Sequence, residues 1–130
     1  MTDNLINNRV PVLKALVGSH NYSLNTPESD KDYKLFVLPT FDDLYSREDY
    51  TANINSEEED IVVYDIRKLS SLFFKANVNY IEVLYSKELE ILLPKDHPNY
   101  EDVKSIIDRR EEISKTYSFY IFLLFYLLCF

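Results

Sequence analysis

The chain has 130 residues, of which 46% are hydrophobic and 28% charged, a composition that fits one globular domain and excludes a disordered segment. Its net charge of -8 argues against a protein that coats nucleic acid through a basic surface. The single cysteine, Cys129, cannot form an internal disulfide, and the N-terminus has no signal-peptide pattern, so we expect a cytoplasmic protein.

The first third of the chain predicts two strands joined by a polar loop. Residues 4–16 begin with a helical pattern that Pro11 would interrupt or end. An apolar step then predicts a short strand over Val12–Val17. Turn-forming residues at 18–29 predict a loop, and Asp30–Leu38 has the alternating and then apolar pattern of a strand.

The remainder predicts one more strong strand followed by helices. The polar and acidic residues 42–59 predict a solvated loop. Asp60–Ile66 is rich in β-branched and aromatic residues and predicts a strand. Helical spacing predicts helices over Arg67–Lys75, Asn77–Leu84 and Tyr100–Lys115. The order of elements indicates an α+β fold, a small mixed sheet with helices packed on it.

Residues 117–130 form an almost unbroken apolar segment, which we separate from a core domain over residues 1–116. As a helix the segment would span about 21 Å, less than the roughly 30 Å of a bilayer's hydrocarbon core. Three interpretations stay open. The segment could be the start of a further helical region in which it is buried, a truncated or frameshifted end, or a membrane-dipping tail.

Asp30 and Asp32 place two carboxylates at the start of the second predicted strand. Because side chains alternate across a strand, both lie on one face, roughly 6–7 Å apart. Carboxylates this close repel each other unless a cation lies between them, and Mg²⁺ suits such a pair. A third carboxylate on a neighbouring strand would complete a two-metal site. Asp60 and Asp65 lie on opposite faces of the third strand, so only one of them can supply it.

Gly18 is the only glycine of the chain, and it lies between the first apolar step and the Asp-x-Asp strand. A glycine lets the backbone approach a phosphate closely, and a following turn or helix start offers N–H groups to it. Ser19 adds a hydroxyl donor. A Gly-Ser pair alone is common and indicates little. Gly18-Ser19 indicates a phosphate-binding turn because it lies shortly before Asp30 and Asp32.

A family resemblance is carried by residues 16–38, LVGSHNYSLNTPESDKDYKLFVL. This stretch resembles the opening motif of predicted nucleotidyltransferases of the DNA polymerase β superfamily. It is most similar to a bacterial and phage branch associated with RNA repair pathways, whose motif runs Gly-Ser-x-x-Tyr-Gly-Leu-x-Thr-Pro-x-Ser-Asp-x-Asp. The matching residues are Gly18, Ser19, Tyr22, Leu24, Thr26, Pro27, Ser29, Asp30 and Asp32. Ser23 stands where the branch has Gly.

A second stretch, residues 60–86, resembles the same branch, in which a strand leads into an Arg-Lys helix and then an Asn…Glu-Leu helix. Those positions are held here by Arg67, Lys68, Asn77 and Glu82. The resemblance implies a polymerase-β-like nucleotidyltransferase core whose motifs lie within residues 12–86.

The resemblance also implies a site and a reaction. Gly18 and Ser19 would contact the phosphates of a nucleotide, and Asp30, Asp32 and Asp60 would be catalytic residues that hold two Mg²⁺ ions. The implied reaction transfers a nucleoside monophosphate from an NTP, such as ATP, to a hydroxyl acceptor. That acceptor would be an RNA end, a protein or a small molecule.

Two other functions stay open on the sequence alone. In one, the chain is a truncated, non-catalytic copy of the fold, which acts as a subunit or binding module and self-associates through residues 117–130. In the other, the same segment tethers the protein to a membrane.

Several single residues have a structural interpretation beside the functional one. His20 could touch a phosphate or act as a general base, but a loop histidine is more often polar surface. Asp65 is predicted to cap the helix that begins at Arg67, because Asp is a preferred N-cap. Glu82 is expected to be structural and to pair with a base such as Lys68 or Arg67, or to be solvated.

Overall fold

The computed structural model describes residues 6–69, 82, 83, 85–109 and 112. Within them, five strands form one mixed sheet in the spatial order β3-β4-β2-β1-β5. The strands are β1 (Pro11–Val17), β2 (Lys31–Val37), β3 (Thr51–Asn55), β4 (Glu59–Asp65) and β5 (Leu89–Ile91). The helices with described ends are α1 (Gly18–Asn21), α2 (Phe41–Ser46) and α3 (Tyr100–Asp108). The predicted α+β class is confirmed.

The centre of the sheet is formed by β1, β2 and β4. β1 and β2 pair antiparallel, whereas β2 and β4 are parallel and in register along their whole length. The helix suggested before Pro11 is wrong over its described part, because residues 6–8 form a turn, whereas the strand predicted over Val12–Val17 is confirmed as β1, which begins at Pro11. A proline is compatible with the first position of a strand, and the apolar run behind it favours a buried central strand.

Both faces of the sheet are buried. Along β2, alternation directs Phe36 to one face and Leu35 and Val37 to the other. The Phe36 face packs with β1 residues and with one side of α3, whereas the Leu35 face packs with Ile6. Asp32 shares the Phe36 face by the same alternation, so the candidate carboxylates lie on the face that α3 helps to cover.

The acidic stretch 42–59, predicted as a loop, contains two regular elements. α2 begins after Thr40, whose side chain accepts a hydrogen bond from the Asp43 N–H at 3.2 Å, while Asp43 Oδ2 accepts one from the Thr40 N–H at 3.0 Å. This reciprocal capping box stabilises a short helix. β3 is an edge strand with alternating exposed and half-buried residues. The loop prediction is wrong for these residues. Polar and charged residues give the same sequence pattern in a loop, a short exposed helix and an edge strand.

Most of the other predicted elements are present where the structure describes them. The strand over Asp60–Ile66 is confirmed as β4, and residues 66–69 begin the helix predicted after it. α3 confirms the first part of the helix predicted from Tyr100. β5 was not predicted. It is only three residues long and pairs with β1.

The middle of the predicted helices over residues 67–84 and the apolar segment 117–130, with Cys129, lie outside the described residues. Among the residues that are described, no helix has the length and apolar character needed to cross a membrane.

Candidate active site

Two of the candidate carboxylates lie side by side on neighbouring parallel strands. Asp32 of β2 is the register partner of Asp60 of β4. Neighbouring strands are about 4.8 Å apart, and partners in register direct their side chains to the same face. Asp65 lies on the opposite face of β4. Of the two alternatives for a third carboxylate, the structure therefore brings Asp60, and not Asp65, next to Asp32.

Asp30 lies in the extended segment just before β2 and is exposed. Burial raises the pKa of the Asp32 carboxyl, and the charges of Asp60 and Asp30 raise it further. None of these three carboxylates forms a hydrogen bond or an ion pair with another described residue. The cluster thus concentrates negative charge, which His20 offsets only in part, and a cation binds favourably in such a place.

The chemistry of these donors fits Mg²⁺. This ion binds through one or two carboxylates together with phosphate oxygens and waters, and it does not require a cage made only of protein. Within the described residues, no three His, Cys, Asp or Glu side chains converge closely enough to hold an ion alone. Asp32 and Asp60 would supply the protein oxygens, and the phosphates of a bound nucleotide would complete the set.

Gly18 packs directly on the Asp32 carboxylate. β1 ends at Val17, the register partner of Asp32, and Gly18 then turns the chain into α1 with φ of 72°. A Cβ atom at this position would lie 2.7 Å from Asp32 Oδ2, closer than such atoms approach each other. Both the backbone angle and the close approach therefore require glycine here.

Gly18→Ala is expected to lower the free energy of unfolding by about 1–3 kcal/mol, because alanine is strained at this φ and its Cβ displaces the carboxylate. Urea denaturation measures this cost. In an Asp32→Ala background the collision disappears, so the same substitution should cost only the backbone share, about 1–2 kcal/mol. An equal cost in both backgrounds would show that the carboxylate does not restrict Gly18.

The two residues after Gly18 connect α1 to the loop that carries Asp30. The Ser19 carbonyl oxygen accepts a hydrogen bond from the Leu24 N–H at 2.9 Å. His20 Nε2 donates to the Ser29 carbonyl oxygen, also at 2.9 Å. The second contact holds Ser29, the residue before Asp30, through one ring nitrogen of His20, so this half-buried histidine is not simply polar surface.

An open groove of about 410 Å³ lies beside Asp30. It is lined by His20, Pro27, Glu28, Ser29, Asp30, Lys31, Glu57, Glu58 and Glu59. Carboxylates dominate this lining, so the groove would accept the phosphates of a nucleotide only together with cations.

Asp65, the other candidate for the third carboxylate, has a different role. It is fully buried, and its Oδ1 accepts a hydrogen bond from the Arg67 N–H at 2.9 Å. The Arg67 guanidinium also binds the carboxylate, with Nη2 2.6 Å from Oδ2. The predicted capping role of Asp65 is confirmed. The helix that it caps begins at residue 66, one position before the predicted start at Arg67.

Glu82 joins the strand of Asp32 to the end of α1. Its Oε2 accepts a hydrogen bond from the Tyr22 hydroxyl at 2.9 Å, and its Oε1 lies 3.4 Å from Lys34 Nζ. Burial is the first cause that raises the pKa of Tyr22, to about 12, and the hydrogen bond with Glu82 is the second. Lys34 follows Asp32 by two positions on β2, so the two side chains share a face of the sheet.

The predicted pairing of Glu82 with a base is confirmed, but the base is Lys34 and not one of the suggested residues, Lys68 and Arg67. Arg67 binds Asp65, and Lys68 Nζ lies 5.6 Å from the centre of the Tyr64 ring. Lys34 was overlooked as a partner because its place in an apolar strand gives no sign of a charge facing it. In the sequence, Tyr22 of the motif was the one sign of a partner for Glu82.

Ser23, which stands where the resembling branch has glycine, keeps a glycine-like backbone. Its φ of 58° lies in the left-handed region. Its hydroxyl contacts Lys87 Nζ, and the Lys87 N–H donates to Asn21 Oδ1 at 2.9 Å. The backbone at Ser23 therefore has a conformation that glycine adopts readily.

The sequence matches the family model described as RlaP, the RNA repair pathway DNA polymerase beta family, over residues 5–122. This range includes all the candidate site residues and the whole described sheet. Among curated proteins, none matches the chain.

Proposed function

Because the chain belongs to the RNA repair pathway DNA polymerase beta family, whose likeness to polymerase β supports a nucleotidyltransferase-type role, we propose that it is a Mg²⁺-dependent nucleotidyltransferase. In this proposal it transfers a nucleoside monophosphate from an NTP to a hydroxyl acceptor. The observation that carries the proposal is the Asp32 and Asp60 pair on parallel strands, with the Gly18 backbone packed against Asp32.

Each site residue has a proposed task. Asp32 and Asp60 hold the metal ions, and Asp30, beside them at the edge of the groove, contributes further carboxylate oxygens. When bound, two Mg²⁺ ions would supply charge neutralisation of the phosphates and activation of the attacking hydroxyl. The backbone at Gly18 and the hydroxyl of Ser19 contact the phosphates, since both lie directly after the strand that partners Asp32.

The acceptor we favour is an RNA end, because the family is one of an RNA repair pathway. The net charge of -8 and the glutamates along the groove oppose a long contact with a polyanion. An RNA acceptor would therefore present its terminal hydroxyl and few further nucleotides to this chain. A protein hydroxyl or a small molecule remains the alternative acceptor class.

Calorimetric titration of NTPs, with and without Mg²⁺, tests the proposal. The wild-type chain should bind NTP only with the metal, and the double variant Asp30→Asn/Asp32→Asn should lose this binding. The matched control is Asp42→Asn/Asp96→Asn, which neutralises two exposed acids away from the site and should bind like wild type. Absence of binding in all three proteins would refute the proposal and leave the non-catalytic alternative.

A further inference from the structure

The helix α1, which begins with Gly18, is fastened from a distant part of the chain. Three residues, which we call the clamp, contact α1 and its flanks: Glu82, Ser86 and Lys87. Their partners are the Tyr22 hydroxyl, the Leu16 carbonyl oxygen and the Asn21 side chain, at 2.9, 2.8 and 2.9 Å respectively. A helix of four residues without a side-chain N-cap depends on such outside contacts for its position.

Glu82 differs from the rest of the clamp because it also reaches β2. One carboxylate oxygen accepts from Tyr22 and the other lies 3.4 Å from Lys34 Nζ. The side chains of Lys34 and Glu82 are only 11% and 20% exposed. The Lys34 contact is therefore largely shielded from water, which strengthens the attraction between the two charges, whereas Tyr22 is half exposed.

The path from Glu82 to the candidate site is short on both sides. The Tyr22 N–H donates to the Gly18 carbonyl oxygen at 3.3 Å, so Tyr22 is one backbone hydrogen bond from the glycine. On the other side, Lys34 lies on the same strand and the same face as Asp32. Glu82 thus contacts both the phosphate-binding element and the metal-binding strand of the proposed site.

We propose that Glu82 is a positioning residue that fixes the Gly18-Ser19 backbone relative to the Asp32 carboxylate by holding Tyr22 and Lys34 together. This inference rests on the proposed function. Each carboxylate oxygen of Glu82 accepts from one of these partners, and the residue acts on the site through them.

Two tyrosines provide a matched pair of variants for the test. Tyr22→Phe removes only the hydroxyl that donates to Glu82, whereas Tyr33→Phe removes one that donates to Glu88 at 3.3 Å on the opposite face of the sheet. Tyr22→Phe and Glu82→Ala should each raise the Kd of Mg²⁺·NTP about 10- to 100-fold, the usual effect of losing a residue that holds the binding residues in place. Tyr33→Phe should leave it unchanged. Glu82→Gln keeps one oxygen that can accept from Tyr22 but places an amide NH2 toward Lys34, so it should recover only part of the affinity lost in Glu82→Ala.

A second measurement separates positioning from loss of folding. Because Gly18 is the only glycine of the chain, nitrogen-15 glycine labelling gives one amide NMR signal, located at the site itself. Tyr22→Phe should shift this signal and speed the hydrogen exchange of the Gly18 amide, with the unfolding temperature little changed. Tyr33→Phe should do neither.

The outcomes distinguish this inference from the proposed function. If Tyr22→Phe and Glu82→Ala match wild type in Kd and in the Gly18 signal, while Asp30→Asn/Asp32→Asn loses binding, the positioning role is overturned and the proposed function stands. If the wild-type chain binds no Mg²⁺·NTP, both are overturned.

Discussion

Asp32→Asn is expected to abolish nucleotide transfer while making the metal-free protein more resistant to heat. The loss of transfer should be on the order of 100- to 1,000-fold, the effect of removing one group that stabilises charge in a transition state. The gain in stability has a separate cause. Asn has nearly the shape of Asp but carries no charge next to Asp60 and Asp30.

The sign of the stability change follows from the pKa of Asp32, which burial and the charges of nearby carboxylates, Asp60 first, raise in the folded protein. A raised carboxyl pKa means that the folded state favours the protonated form. The stability this provides is fully present below the pKa of the unfolded chain and is lost as the pH rises through the folded pKa. At neutral pH the ionised carboxylate is therefore a cost, which Asn removes.

Thermal unfolding of the metal-free proteins from acidic to neutral pH measures this effect, alongside an assay of labelled nucleotide transfer. The advantage of Asp32→Asn over wild type should grow as the pH rises. Asp96→Asn, an exposed acid in a loop, is the control and should change neither stability nor transfer. A variant that transferred nucleotide at the wild-type rate would remove Asp32 from the proposed site.

Asp43→Ala is expected to destabilise the fold by about 3 kcal/mol, the lower end of the range for breaking a buried ion pair. Asp43 is 8% exposed, and its two carboxylate oxygens accept hydrogen bonds from Arg9 Nε and Nη2 at 2.8 and 2.7 Å. The substitution also removes half of the capping box with Thr40 and leaves the Arg9 guanidinium without its carboxylate.

The destabilisation should depend on pH in a defined direction. Hydrogen bonds from Arg9, followed by the backbone N–H of Thr40, hold the pKa of Asp43 well below its usual range. The stability from this carboxylate is therefore present above the unfolded pKa, about 3.9, and is lost as the pH falls through the folded value. Urea denaturation should show a large gap between wild type and Asp43→Ala at neutral pH and a smaller one in strong acid.

The neighbouring residue provides the control for this prediction. Asp42 lies in the same first turn of α2 but is exposed, so Asp42→Ala should cost only the small helix-dipole contribution, about 0.3–1 kcal/mol. Equal losses for the two variants would mean that the Arg9 pair contributes no more than a surface charge.

The strands of the centre of the sheet could be predicted because their patterns are local. Val12–Val17, Asp30–Leu38 and Asp60–Ile66 are each apolar or alternating runs, and the structure has strands that agree with all three to within one residue at each end. By contrast, β3 and β5 are short edge strands, at Thr51–Asn55 and Leu89–Ile91, whose formation depends on partners elsewhere in the chain. Thr40 and Asp43 did carry a local signal for α2, since their spacing is that of a capping box.

The residues of the candidate site could be predicted from the sequence, but their positions relative to one another depend on how the strands pair. Alternation along β4 could state that Asp60 and Asp65 face opposite sides, but not which of them faces Asp32. That choice follows from the parallel register between β2 and β4, which no local pattern encodes. The partner of Glu82 could not be predicted for the same reason, because Lys34 meets it only after the sheet has formed.

The placement of β1 has a consequence for the order in which the molecule folds. On one side β1 pairs with β2, close to it in sequence, and on the other Lys14 lies opposite Glu90 of β5. Pairings between distant parts of a chain form more slowly than local ones. A chain synthesised only as far as β4 already contains all three candidate carboxylates, but the residues that fasten α1 come after it. Competence to bind nucleotide would thus be acquired late in folding, when β5 joins the sheet.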